Sequence, residues 1–189
     1  MMKNSVHVLL LLLLVAMAMP AMAQTDAFGK VDTLYADVAR IDDGHWTVTI
    51  SYTNDEAVVG LSVPIKLNAG KNLIVADSAV YKGGRVADFA YPGFRCDTAI
   101  QCVTLGMIAN LGPTNHRLVP GNGRLVTVYV SSLEDKPITK LTVDTTTTYP
   151  NNTLLVIADS LQGEPPDTMR VKNDKREIIP AWVVRYPKE

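Results

Sequence analysis

The sequence predicts an all-β protein, a two-sheet antiparallel β-sandwich of jelly-roll type with about nine or ten strands. Three observations carry this. Apolar side chains recur at every second residue in segment after segment, helical periodicity is almost absent after residue 23, and turn-forming clusters separate the segments at short intervals. Strands that alternate apolar and polar residues each have one face to bury, and two sheets packed face to face bury all of them at once. An up-and-down barrel satisfies the same pattern and stays open as an alternative.

Residues 1–23 have a leader's composition. Lys3 supplies the positive start, Val8 to Met19 is an unbroken apolar run, Pro20 interrupts it, and Ala21-Met22-Ala23 has the small-x-small form of a cleavage site. About a dozen apolar residues fall short of the roughly 20 needed to span a bilayer. The expectation is Sec-type export with cleavage near Ala23, to the periplasm, the cell envelope or the medium. Residues 24–32 then form a short linker, and 33–189 one domain. The 166 residues after the leader carry 17 basic and 19 acidic side chains with no basic run, which argues against nucleic acid as partner.

The clearest strand is His45 to Tyr52, with Trp46, Val48, Ile50 and Tyr52 on one face and His45, Thr47, Thr49 and Ser51 on the other. Asp42-Asp43-Gly44 and Asn54-Asp55-Glu56 bound it. Val59 to Leu67 alternates in the same way, and Pro64 inside it predicts a sheet edge or a bulge. Further strands are expected over Thr33–Ala39, Leu73–Tyr81, Arg85–Ala90, Cys102–Ala109, Arg124–Ser131, Lys140–Thr145, Thr153–Ala158 and Ile178–Arg185. The threonines Thr145 to Thr148 suit a solvated sheet surface. The stretch from Gln162 to Glu177 reads as a solvated excursion.

The order of these segments resembles that of the cohesin-like family of exported bacterial modules, whose jelly-roll sandwich is shared with some carbohydrate-binding modules. Val48 to Leu67 is similar to the family's paired early strands, and Val119 to Val130, opening on Pro120-Gly121-Asn122-Gly123, to its late strand. The likeness spans roughly Thr33 to Val184. Asn68-Ala69-Gly70-Lys71-Asn72 departs from the family's aspartate turn, and the segment from Cys96 to Cys102 is an addition. The resemblance implies the fold and an extracellular interaction module, and it carries over no binding residue.

Motifs for catalysis are missing. His45 and His116 are the two histidines after the leader, and there is no nucleophile elbow, zinc-binding histidine pair or phosphate-binding glycine loop. A glycosidase carboxylate pair drawn from Asp77, Asp88 and Asp97 is the enzymatic alternative, and an envelope or matrix component is the structural one. The sequence predicts no metal and no cofactor, although Asp42-Asp43-Gly44 and Asn54-Asp55-Glu56 could offer oxygen ligands to calcium.

Cys96 and Cys102 lack redox or zinc spacing, so in an oxidising compartment they are expected to pair as a disulfide, with free thiols the alternative. Beside them Tyr91, Phe94 and Arg95 form the candidate ligand-binding platform, a loop of rings able to receive a glycan or a peptide. The competing reading makes Phe89 and Phe94 plugs at the sandwich end. Trp46 and Trp182 are assigned to the core. The expected function is non-catalytic binding of an extracellular protein or glycan through a sheet face or end loops.

Overall fold

A computed structural model describes residue 26 and residues 29–109, 116–134, 136–146, 154–159 and 177–187. The leader, residues 147–148 of the threonine run, and residues 162–176 of the excursion lie outside the described residues. Eleven strands are present among the described residues: β1 (Thr33–Arg40), β2 (His45–Asn54), β3 (Val58–Asn68), β4 (Ile74–Val80), β5 (Tyr91–Asp97), β6 (Cys102–Ile108), β7 (Gly121–Ser132), β8 (Thr142–Asp144), β9 (Leu155–Ala158), β10 (Glu177–Ile178) and β11 (Ala181–Arg185). One sheet has the order β11-β1-β2-β7-β4 and the other β10-β9-β3-β6-β5, with β8 also paired to β3. Every pairing is antiparallel except β1 with β11, which is parallel.

The alternating pattern becomes the core. Leu34, Ala36, Val48, Ile50 and Tyr52 of the first sheet face Val63, Ile65, Val103, Leu105 and Met107 of the second, each at most 1% exposed. Burial of such side chains contributes about 1.5–3 kcal/mol apiece, which makes strand register a strong constraint. Trp46 is buried, and its indole N–H donates to the Ile138 carbonyl at 3.1 Å. Trp182 packs partly buried against the core, and its indole nitrogen has no partner among the described residues.

Pro64 lies in an interior strand, not at an edge, since β3 runs between β6 and β9. Its missing N–H still costs no ladder bond. Along β3, Val59 and Leu67 turn their backbone groups toward the β6 side, bonding Ala109 and Gln101. Pro64, of opposite parity, turns its nitrogen the other way. There β9 pairs Val58 to Ser62 and β8 pairs Lys66 to Asn68, so Pro64 falls in the gap between them.

Three expected strands differ. Ile178–Arg185 divides into β10 in the second sheet and β11 in the first, separated by Ile179-Pro180. Lys140–Thr145 contracts to β8, and Thr145 and Thr146 lie beyond it, Thr146 buried. Arg85–Ala90 is no strand: Gly84, Ala87 and Phe89 each donate to the carbonyl three residues earlier, at 2.9–3.1 Å. Val86 and Phe89 thereby enter the core three positions apart, a spacing that strand periodicity does not express.

Arg85 explains why the chain turns here. Its guanidinium donates to the carbonyls of Tyr52 (2.8 Å), Val119 (2.6 Å) and Gly121 (3.2 Å) and to Asn54 Oδ1 (2.9 Å). Gly84 lies so close to β7 that a Cβ there would sit 2.2 Å from the Leu125 carbonyl oxygen, and Gly123, at φ +155°, lies against the Arg85 side chain. Arg85→Ala leaves these carbonyls without their charged donor and is expected to lower stability by about 2–4 kcal/mol. Urea unfolding should show the midpoint falling at constant slope.

Candidate functional site

Strand parity also decides what each sheet shows to solvent. The outer face of the first sheet is hydroxyl-rich, carrying Thr33, Thr47, Thr49, Ser51 and Thr53. On the same face Arg185 pairs with Asp37 at 2.6 Å and its guanidinium lies 4.4 Å from the Tyr35 ring centroid. Val80, Tyr129 and Val183 are exposed on this face too, interleaved with the polar side chains.

The second sheet differs. Its register aligns Tyr91, Ile108, Gly60 and Ile157 in one row across β5, β6, β3 and β9. The next row is Gly93, Gly106, Ser62 and Leu155, so eight neighbouring positions carry no charge. Tyr91 is 52% and Ile108 42% exposed. Gly106 is not demanded by packing, because a Cβ there would meet nothing within 4 Å. Three glycines keep this area low between the flanking apolar side chains. Charge returns one row further on, at Arg95, and then at Lys66, Asp97 and Asp144.

The predicted platform is therefore an edge strand, β5, and not a loop. Pro92 suits an edge, since β5 has a ladder on its β6 side only and a strand so placed tolerates a residue without a backbone donor. Tyr91 and Arg95 share the outer face, whereas Phe94 opposes Leu105 on the inner side. The edge is partly closed by the Tyr81 hydroxyl, which donates to the Gly93 carbonyl at 2.6 Å; burial pushes that phenol up to about 12. Phe89 is buried as a plug, while Phe94 stays 36% exposed.

The cysteines do not form the expected disulfide. Cys96 opposes Val103 and Cys102 opposes Asp97, so the two side chains leave the β5–β6 hairpin on opposite faces. Bridging them needs the Cβ vectors to converge, which this register forbids. Both are free thiols, Cys102 buried and Cys96 half-buried. Thiol titration of the unfolded, unreduced protein should count two groups per chain, whereas a count of zero would contradict this register.

His45 is exposed and its Nδ1 sits 2.7 Å from Asp42 Oδ1, and His116 is exposed. The three glycosidase candidates occupy separate elements. Asp77, on β4, accepts from Ser131; Asp88 is exposed in the turn after β4; Asp97 accepts from the Ala99 and Ile100 amides, closing the β5–β6 turn.

A second cluster lies where β2 turns into β3. Asp26 and Asp32, before β1, meet Asp55 and Glu56 of the β2–β3 turn, with one carboxylate oxygen from each within 4.8 Å of the others. Of these only Asp55 and Glu56 stood out in the sequence, as turn residues. The Lys30 amide donates to Asp55 Oδ2 at 2.9 Å and holds its carboxyl below the usual range. The buried Tyr52 hydroxyl donates to Asp32 Oδ2. Burial, and then the neighbouring Asp32, push Glu56 up to about 9; burial also raises Asp32.

The sequence matches no family model and no curated protein. Solved structures do match. The sixth cohesin of scaffoldin B from Acetivibrio cellulolyticus, in complex with a dockerin, superposes with TM-score 0.57 at 7% identity, over 85% of this chain and 100% of that one. The seventh ScaB type I cohesin from Pseudobacteroides cellulosolvens matches at TM-score 0.50 and 7% identity, over 84% of this chain and 94% of that one. The fold is that of a cohesin. A further cohesin-fold match comes from a type I cohesin–dockerin complex of Clostridium thermocellum, at TM-score 0.55 and 11% identity, covering 84% of this chain and 100% of that chain. Among the described residues no helix is long and apolar enough to cross a membrane.

In calcium-free solution Glu56, facing Asp26, Asp32, Asp55 and Tyr52, binds its proton more tightly in the folded chain than in the unfolded chain, where it titrates near 4.5. The folded state then holds more protons than the unfolded one between about pH 4.5 and about 9, so stability falls as pH rises through that window. Thermal melts across it should show the decline, and Glu56→Gln should flatten it.

Proposed function

We propose that this chain is a non-catalytic interaction module that docks a dockerin-like protein on the outer face of the β9-β3-β6-β5 sheet. The observation that carries this is the pair of uncharged rows from Tyr91 to Ile157 and from Gly93 to Leu155. A flat apolar centre with charge at its margin has the anatomy of a protein–protein interface core and rim. The other sheet's outer face also exposes Val80, Tyr129 and Val183, but interleaves them with threonines, serines and the Arg185–Asp37 ion pair. The complexes in which two of the solved neighbours were determined contain dockerins, which supports the choice of partner.

The leader-like composition of residues 1–23 supports an encounter outside the cytoplasm. Tyr91 and Arg95 contribute a ring and a donor at the face's free edge, and Phe94 supports β5 from the inner side. With His45 held by Asp42, and Asp77, Asp88 and Asp97 on three separate elements, nothing among the described residues assembles an acid–base pair at this face.

The test is titration of the purified chain against a panel of purified dockerin modules, beside a glycan array. Ile108→Glu and Gly106→Glu should each weaken dockerin binding by on the order of 30-fold or more, with unchanged thermal melts. Thr47→Glu, on the opposite sheet, should leave it intact. Absence of binding to every dockerin, or glycan binding lost on Tyr91→Ala, would overturn the reading.

A further inference from the structure

We propose that Asp26, Asp32, Asp55 and Glu56 form a calcium site that fastens the segment before β1 to the β2–β3 turn. The donor set is all carboxylate oxygen, the chemistry of a hard cation, with no imidazole or thiolate to favour zinc or copper. The oxygens lie within 4.8 Å of one another. Two ligands on opposite sides of one calcium ion, each about 2.3–2.6 Å from it, are separated by about that distance.

An independent observation asks for a ligand here. Asp32 is only 1% exposed, and while its Oδ2 accepts from Tyr52, its buried Oδ1 has no donor among the described residues outside the acidic cluster itself. Both oxygens of Glu56 are likewise buried, and among the described residues only the carboxyl groups of Asp32 and Asp55 face them. Buried carboxylate oxygens are seldom left so, since each forfeits its hydration. Nearby basic groups act on the cluster only through space: Asp32, Asp55 and Glu56 enter no ion pair among the described residues, Arg85 and Lys30 attract Asp32 and Asp55 from beyond contact, and the Arg85 guanidinium is directed at Tyr52, Asn54, Val119 and Gly121.

The backbone is shaped to bring the acids together. Asp32 donates its amide to Asp26 Oδ2 at 3.2 Å, and Lys30 donates to Asp55. Gly29, at φ +147°, passes so near Asp55 that a Cβ would lie 2.5 Å from its Oδ2. Only glycine lets the segment close over that carboxylate. Two acids thus come from each of two chain segments, and an ion held by all four ties one segment to the other.

The experiment uses the full chain, stripped with chelator and then titrated with calcium chloride. Native mass spectrometry should find one calcium per chain, and saturating calcium should raise the melting temperature by on the order of 5–10 °C. Glu56→Gln and the more exposed Asp55→Asn should each abolish most of that rise, and Asp88→Asn should keep it. If Glu56→Gln does not fold, Asp55→Asn carries the test. No calcium response, a response that survives both substitutions, or an equal response to magnesium would overturn the assignment. Dockerin binding is measured separately, so failure here leaves the docking face untouched.

Discussion

Two-residue parity is the constraint from which most of this structure follows. Once Val48, Ile50 and Tyr52 must face inward, Thr47, Thr49 and Ser51 must face out, and the pairing of β2 with β1 and β7 transmits that choice across the sheet. The same arithmetic in the second sheet sends Leu61, Val63 and Ile65 into the core and leaves Gly60 and Ser62 on the outer face. It also separates Cys96 from Cys102 and gathers Tyr91, Ile108 and Ile157 from three strands into one row. A one-residue slip would reverse each of these results together. The energy of the buried set is what holds the exposed set in register.

Much of the fold was legible because burial writes itself into alternation. His45–Tyr52 and Val59–Leu67 lie within β2 and β3, and the cohesin-like order of strands is the order observed. Legibility failed where other forces took over. Tyr91–Asp97 reads as a loop because Pro92 and Gly93 are turn residues, yet an edge strand needs a ladder on one side only. Arg85 reads as a strand residue because its partners are backbone carbonyls more than thirty positions away, and sequence gives no sign of a carbonyl's need. The disulfide followed from spacing and compartment alone, and spacing does not contain the face on which a side chain emerges.

The two candidate sites illustrate different degrees of visibility. Tyr91 and Arg95 were found from residue type, but the patch they border depends on glycines, whose contribution is an absence of side chain. Gly106 acquires meaning only beside Ile108 and Ser62. The acidic cluster was half visible, through Asp55 and Glu56. Asp26 and Asp32 belong to a stretch that reads as a linker, and they reach the cluster because Gly29 and the Lys30 amide direct the chain over Asp55. The two sites draw on different residues, with the cluster built from the segment before β1 and the β2–β3 turn.

The crossing at Ile179-Pro180 limits how the sandwich can deform. Ile178 is paired in one sheet and Ala181 in the other, so three Cα steps, about 10 Å of chain, bridge layers that pack about 10 Å apart. That tether is taut. The layers cannot swell at this end to admit water or a bulkier side chain unless β10 or β11 first lets go, which makes the last strands the safety catch of the whole sandwich.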